Sequence, residues 1–197
     1  SLEALVKELQ TKLNGAATAE SVQEIADALE IAQADLKDLL DSNNIYAPSG
    51  DAAELVINTQ ATLDFATSLG DKLAIVNGDV TIEQTTSMDA TQLAAVMAKI
   101  TSVTGDVSYT ADATGVVPTA GFTALTGVAT ITMDVNGDVS LPVLASASTV
   151  DIQDNTKVTS VSLPALKTVT TLSNLTFNKA TSLDLSSLER YADDLTI

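Results

Sequence analysis

Val139-Ser-Leu141-Pro-Val-Leu144, Val161-Ser-Leu163-Pro-Ala-Leu166 and Leu183-Asp-Leu185-Ser-Ser-Leu188 are three versions of one motif, and their spacing decides how the chain is read. Leu141, Leu163 and Leu185 stand 22 residues apart, and so do the closing leucines Leu144, Leu166 and Leu188. Three residues after each closing leucine comes another apolar position: Ala147, Val169 and Tyr191. An alternating segment then follows: Val150-Asp-Ile152, Leu175-Thr-Phe177 and Leu195-Thr-Ile197. Alternation and β-branched residues are strand signals. A fixed period of this length marks units too small to bury their own apolar face, which must stack on one another. The expected fold is therefore mainly β: a right-handed parallel β-solenoid, preceded by two to three helices.

Upstream the period loosens. Gly78-Asp-Val-Thr-Ile82 and Gly105-Asp-Val-Ser-Tyr109 are near copies 27 residues apart, and Gly127-Val-Ala-Thr-Ile131-Thr-Met133 is a degraded third. A short helix from Asp89 to Ala98, capped by Ser87 or Asp89, fits between the first two. Asp112 to Gly121 reads as a loop. The expected division is a helical attachment or oligomerisation segment, 1–72, and a solenoid of about five rungs, 73–197, continuing past the chain shown.

The N-terminal part carries helical periodicity. Leu2, Leu5, Leu9 and Leu13 share one face, closed by Asn14-Gly15. Val22, Ile25, Leu29, Ala32, Leu36 and Leu39 then step by three and four, a heptad seam, with Ser21 and Glu24 at capping-box spacing and Thr18 as an alternative cap one turn earlier. The seam serves either a coiled-coil oligomer or a helical hairpin within one subunit. A third helix is expected from Asp51 to about Leu69, although Val56-Ile57 and Thr59 weaken it.

Composition narrows the function. With 9 Lys+Arg against 26 Asp+Glu, the formal net charge is −17. Nucleic acid and anionic membrane surfaces are bound through basic residues, so neither is an expected partner. The chain has no cysteine and no histidine, which removes thiol catalysis, disulfides and imidazole base chemistry. No apolar run approaches membrane-spanning length.

Asp134-Val-Asn136-Gly-Asp138 places oxygen ligands at alternate positions, as at the opening of a calcium loop. Val139 stands where that loop needs glycine and Ala145 where it needs glutamate, so a turn between strands is the preferred reading. Paired carboxylates for sugar cleavage are available, but Tyr46, Tyr109 and Tyr191 are isolated and no tryptophan is present to build a platform. No catalytic residue and no cofactor is expected. Asn174-Leu-Thr176 matches a glycosylation sequon but reads as a turn. The outer Thr170, Thr171, Ser182, Ser186 and Ser187 read as a solvated face.

The stretches TSVTGDVSY and VTSVSLPALKTV, with LSNLTFNKATSLDLSSL after them, resemble the irregular leucine-rich-repeat solenoids of bacterial surface proteins and receptor L domains. The Asn ladder of ordinary leucine-rich repeats is missing. LVKELQTKLNGAATAESVQEIADALEIA is similar to helical modules in structural proteins of marine tailed phages. Together these resemblances imply a non-enzymatic appendage, a virion fibre or decoration protein, with a bacterial cell-surface adhesion module as the alternative and a polysaccharide-acting enzyme third. They imply a location on a virion or cell surface. The expected partners are further copies of the chain, a trimer foremost, other virion or surface proteins, and a cell-surface glycan or protein receptor.

Overall fold

In the computed structural model, the residues described are 7–8, 11, 19–42, 44–48, 53–111, 113–153, 158–173 and 181–191. The chain divides into two compact units, Ser1–Asn43 and Asn44–Ile197. The boundary thus falls about thirty residues before the expected one at 72/73. The reason lies in 54–57, which were expected to open a helix. Leu55-Val-Ile57 instead forms a strand in register with 79–82, which ties the segment into the second unit.

The first unit is described chiefly by helix α1, Ala19–Ser42. Ala, Leu and Glu, all good helix formers, supply half of its residues, and no glycine or proline interrupts it. Gln23 Nε2 donates to Asp27 Oδ1 one turn on, at 2.7 Å. The helix expected over 1–14 lies mostly outside the described residues.

The second unit begins with β1 (Ile45–Tyr46) and β2 (Glu54–Ile57), then α2 (Gln60–Ser68), a 3-10 turn (Gly70–Ala74) and β3 (Ile75–Val76). β4 (Asp79–Glu83), α3 (Ala90–Met97), β5 (Ser102–Val103), β6 (Val107–Ala111) and β7 (Gly127–Val135) follow. The remainder is β8 (Val139–Ser140), β9 (Ser146–Ile152), β10 (Ser160–Ser162), β11 (Thr168–Ser173), β12 (Ser182–Asp184) and β13 (Arg190–Tyr191). Both helices are capped as their sequences dictate. Thr59 and Thr62 exchange side-chain and backbone hydrogen bonds before α2, and Asp89 Oδ1 accepts from the N–H groups of Thr91 and Gln92 at 2.8 and 3.0 Å.

The expectation of a mainly β solenoid is not met. The fold is mixed α/β: a ten-stranded sheet of parallel strands, curved as a half-barrel, with helices in its connections and a separate three-stranded sheet, β12-β10-β8. Parallel neighbours need a crossover; the one from β6 to β7 is the loop that holds 113–121, and the others are of two kinds. Between β2 and β4 and between β4 and β6 they carry α2 and α3, with pairing offsets of 25 and 27 residues. After β7 the described residues of the crossovers carry the short strands β8, β10 and β12, and from β9 to β11 to β13 the offset shortens to 22. The regular repeat of 139–191 therefore describes the last part of the sheet and does not extend to the helical crossovers before it.

Within that last part the periodic leucines lie where their spacing puts them. Val161 pairs with Val139 and with Leu183, and each Leu-x-x-Leu closes the same turn, with Leu144, Leu166 and Leu188 donating to Leu141, Leu163 and Leu185 at 3.4, 3.2 and 3.0 Å. Pro142 and Pro164 occupy the second position of the first two turns, where their fixed φ is preset. Leu141, Leu144, Leu163 and Leu166 are buried, whereas Leu185 and Leu188 are half-buried against the core.

β7 is the junction of the sheet. β5 pairs with it at Gly127 and β6 at Ile131–Val135, while β9 pairs along 127–133. Upstream, the Gly-Asp pairs 78–79 and 105–106 break the extended chain into β3/β4 and β5/β6; β7 lacks such a pair and runs through. Gly105 is required by close approach, since a Cβ there would lie 2.0 Å from Asp79 Oδ1 and 2.8 Å from the Gly78 carbonyl oxygen.

Candidate functional site

The loop 113–121, with no helix or strand of its own, is anchored by a buried polar cluster. Alternation along β6 turns Val107, Tyr109 and Ala111 inward, and Tyr109 meets Phe122 edge-on at 6.3 Å and 74°. A buried phenol needs partners, and Gln84, at the end of β4, supplies one: Tyr109 Oη donates to Gln84 Oε1 at 2.5 Å. The Thr119 N–H donates to Gln84 Oε1 (3.0 Å) and to Tyr109 Oη (2.8 Å), and Gln84 Nε2 donates to the Val117 carbonyl at 2.9 Å. Burial pushes the Tyr109 hydroxyl up to about 12.

Beside this cluster lies a cavity of about 250 Å³ between the loop and the β7–β8 turn. Tyr109, Phe122, Met133, Val135, Val139 and Leu141 form its apolar wall, and Thr119, Asn136, Asp138 and Ser140 supply its polar atoms. The Thr119 hydroxyl is buried and has no hydrogen-bond partner. Such an orphan costs about 1–3 kcal/mol. At the mouth, Val117 is 79% exposed.

Asp134, Asn136 and Asp138, weighed as a calcium loop and read instead as a turn, lie in this region. Asp138 Oδ1 accepts from Thr159 Oγ1 (2.8 Å), Ser160 N–H (2.9 Å) and Thr159 N–H (3.1 Å), and the Thr159 hydroxyl in particular holds its carboxyl below the usual range. Asp134 lies in β7 opposite Thr110, and the Asn136 N–H bonds to the Ala111 carbonyl at 3.3 Å. Among the described residues no three acidic side chains gather as metal ligands. The cavity itself was not foreseen. The available signal was Tyr109, a large polar aromatic at an inward position beside a long loop.

A different surface is carried by α1. Val22, Leu29, Leu36 and Leu39 of the seam are 58, 48, 42 and 57% exposed, and Ile25 is half-buried. In heptad terms Val22, Leu29 and Leu36 are a positions, and Ile25, Ala32 and Leu39 are d positions. Glu24, Asp27 and Glu30 fall on the outer b, c and f positions, and Asp35 borders the seam together with Ala26, Ala28 and Gln33.

The sequon at Asn174 and the strand signals at 175–177 and 195–197 lie outside the described residues. Among the described residues no helix is long and apolar enough to cross a membrane. No family model, no curated protein and no solved structure matches the chain.

Proposed function

We propose that this chain is a non-enzymatic structural and adhesive module whose α1 joins copies of the chain and whose parallel-sheet unit forms the body presented outward. The observation that carries the reading is the apolar seam from Val22 to Leu39. Four large side chains of the seam stay at least 42% exposed, with Asp35 the one described acid that borders them; Ile31, 63% exposed, lies off the seam. Exposed apolar stripes of this kind are association surfaces. In a chain of net charge −17, a homotypic contact requires that acids be kept off the contact line. The resemblance of the N-terminal stretch to phage structural modules favours a virion fibre or decoration protein. A bacterial surface adhesin uses the same two parts with another anchor.

Light scattering on the intact chain and on a chain beginning at Asn44 tests this. A trimer that becomes a monomer on removal of 1–43 is the expected result. A monomer in both, at concentrations up to the millimolar range, overturns it.

A further inference from the structure

The geometry points to a binding site for a small neutral molecule in the cavity between the 113–121 loop and the β7–β8 turn, with Thr119 as its polar anchor. The inference is independent of self-association through α1.

Size comes first. A cavity of roughly 150 Å³ lined by aliphatic and aromatic side chains takes up benzene, so the 250 Å³ here suits a ligand of about ten non-hydrogen atoms. Charge comes next. No lysine or arginine is among the residues that line the cavity, Asp138 is held as a carboxylate, and the rest of the wall is apolar or uncharged. An anion would be desolvated there without a counter-charge. Asp138 Oδ1 is taken up by Thr159 and Ser160, and the lining holds no second carboxylate to share a cation with it.

The Thr119 hydroxyl decides the rest. The backbone of Thr119 is fixed by Gln84 and Tyr109, while its Oγ1 bonds to nothing. Thr119 lines the cavity, and its hydroxyl, which would give up no hydrogen bond on engaging a ligand, has a donor and an acceptor to commit. A ligand with an apolar body and one hydroxyl would therefore gain from the anchor, and a pure hydrocarbon would not. Small phenols and alcohols have this chemistry.

Methyl NMR on methionine-labelled protein tests it with three probes of one shape: p-cresol, toluene and p-toluate. Met133 lines the cavity, whereas Met88 is not among its lining residues and serves as internal control. The expected result is a saturable shift of the Met133 signal with p-cresol, weaker binding of toluene by about tenfold, the loss of one good hydrogen bond, and none of p-toluate. Thr119→Val should bring p-cresol down to the toluene level, and Thr119→Ser should restore the difference. An unmoved Met133 signal, equal binding of p-cresol and toluene, or binding of p-toluate would each overturn the proposal, and these wild-type arms stand even if a variant fails to fold.

Discussion

Asp79 and Asp106 do the same work at successive heights of the sheet. Asp79 Oδ1 accepts from the Asp106 N–H at 2.8 Å, and Asp106 Oδ1 accepts from the Thr130 N–H at 3.0 Å. Each carboxylate satisfies a backbone donor of the following strand segment where the Gly-Asp pair interrupts regular pairing. Asp106→Ala should cost about 1 kcal/mol in a urea melt, the worth of one exposed charged hydrogen bond. Gly105→Ala should cost more, about 2 kcal/mol or above, because the added methyl would collide with Asp79 Oδ1 and crowd the Gly78 carbonyl. Equal effects of the two would show that the space around Gly105 is not tight. Tyr109 makes a pH prediction. Its hydroxyl is raised to about 12 in the folded chain, whereas an unfolded tyrosine ionises near 10. The unfolded state therefore loses its proton first. Stability from this group is complete below about pH 10 and declines as pH rises to about 12. The expected loss over that window is roughly 3 kcal/mol, and Tyr109→Phe should flatten it, as followed by unfolding at successive pH values.

At the scale of elements, the 22-residue step and the burial of its leucines belong together. Leu163 is fully buried between neighbouring repeats, with its N–H on the Asp184 carbonyl at 2.8 Å, whereas Leu185 keeps part of its surface open. Leu163→Ala should destabilise by about 2–5 kcal/mol, and Leu185→Ala by roughly half as much, in denaturant titrations. Similar losses at both would mean that Leu185 is as enclosed as Leu163. The helices follow another rule. α2 and α3 each send a short apolar face inward, Leu63 with Ala66 and Leu93 with Val96 and Met97. Their outer sides are joined by Gln60, Asp64, Thr67 and Gln92 through bonds of 2.8–2.9 Å. The amides of Gln92 and then Gln60 hold Asp64 below the usual carboxylate range.

At the scale of the whole molecule, charge and association are coupled. A chain of net charge −17 repels its own copies, and salt shortens the reach of that repulsion to about 10 Å at 0.1 M. Self-association through α1 should therefore strengthen as salt is raised from low millimolar to physiological levels. Leu29→Asp, which places a further acid on the seam, should abolish it without changing the melting of 44–197. Sedimentation across a salt series reads both, and an association constant indifferent to salt and to Leu29→Asp would remove α1 from the contact.

Much of this protein was legible in order. The heptad of 22–39 announced α1, Asp89 was one of two caps offered for α3, and the copies 78–82 and 105–109 became β4 and β6 at the offset of 27 that their spacing required, whereas Thr59, read as weakening a helix, caps α2. Local periodicity carries such information because a register is a sequence distance. What it did not carry was the content of the crossovers. Whether 54–57 is a strand or the first turn of a helix depends on a partner at 79–82, and apolar runs of that length look alike from the sequence. The mixed α/β architecture, the boundary at Asn43 and the closing of the 113–121 loop over Tyr109 rest on contacts between residues tens of positions apart. Those contacts exist only once the sheet has formed, and with them comes the cavity beside which the Thr119 hydroxyl is left without a hydrogen bond.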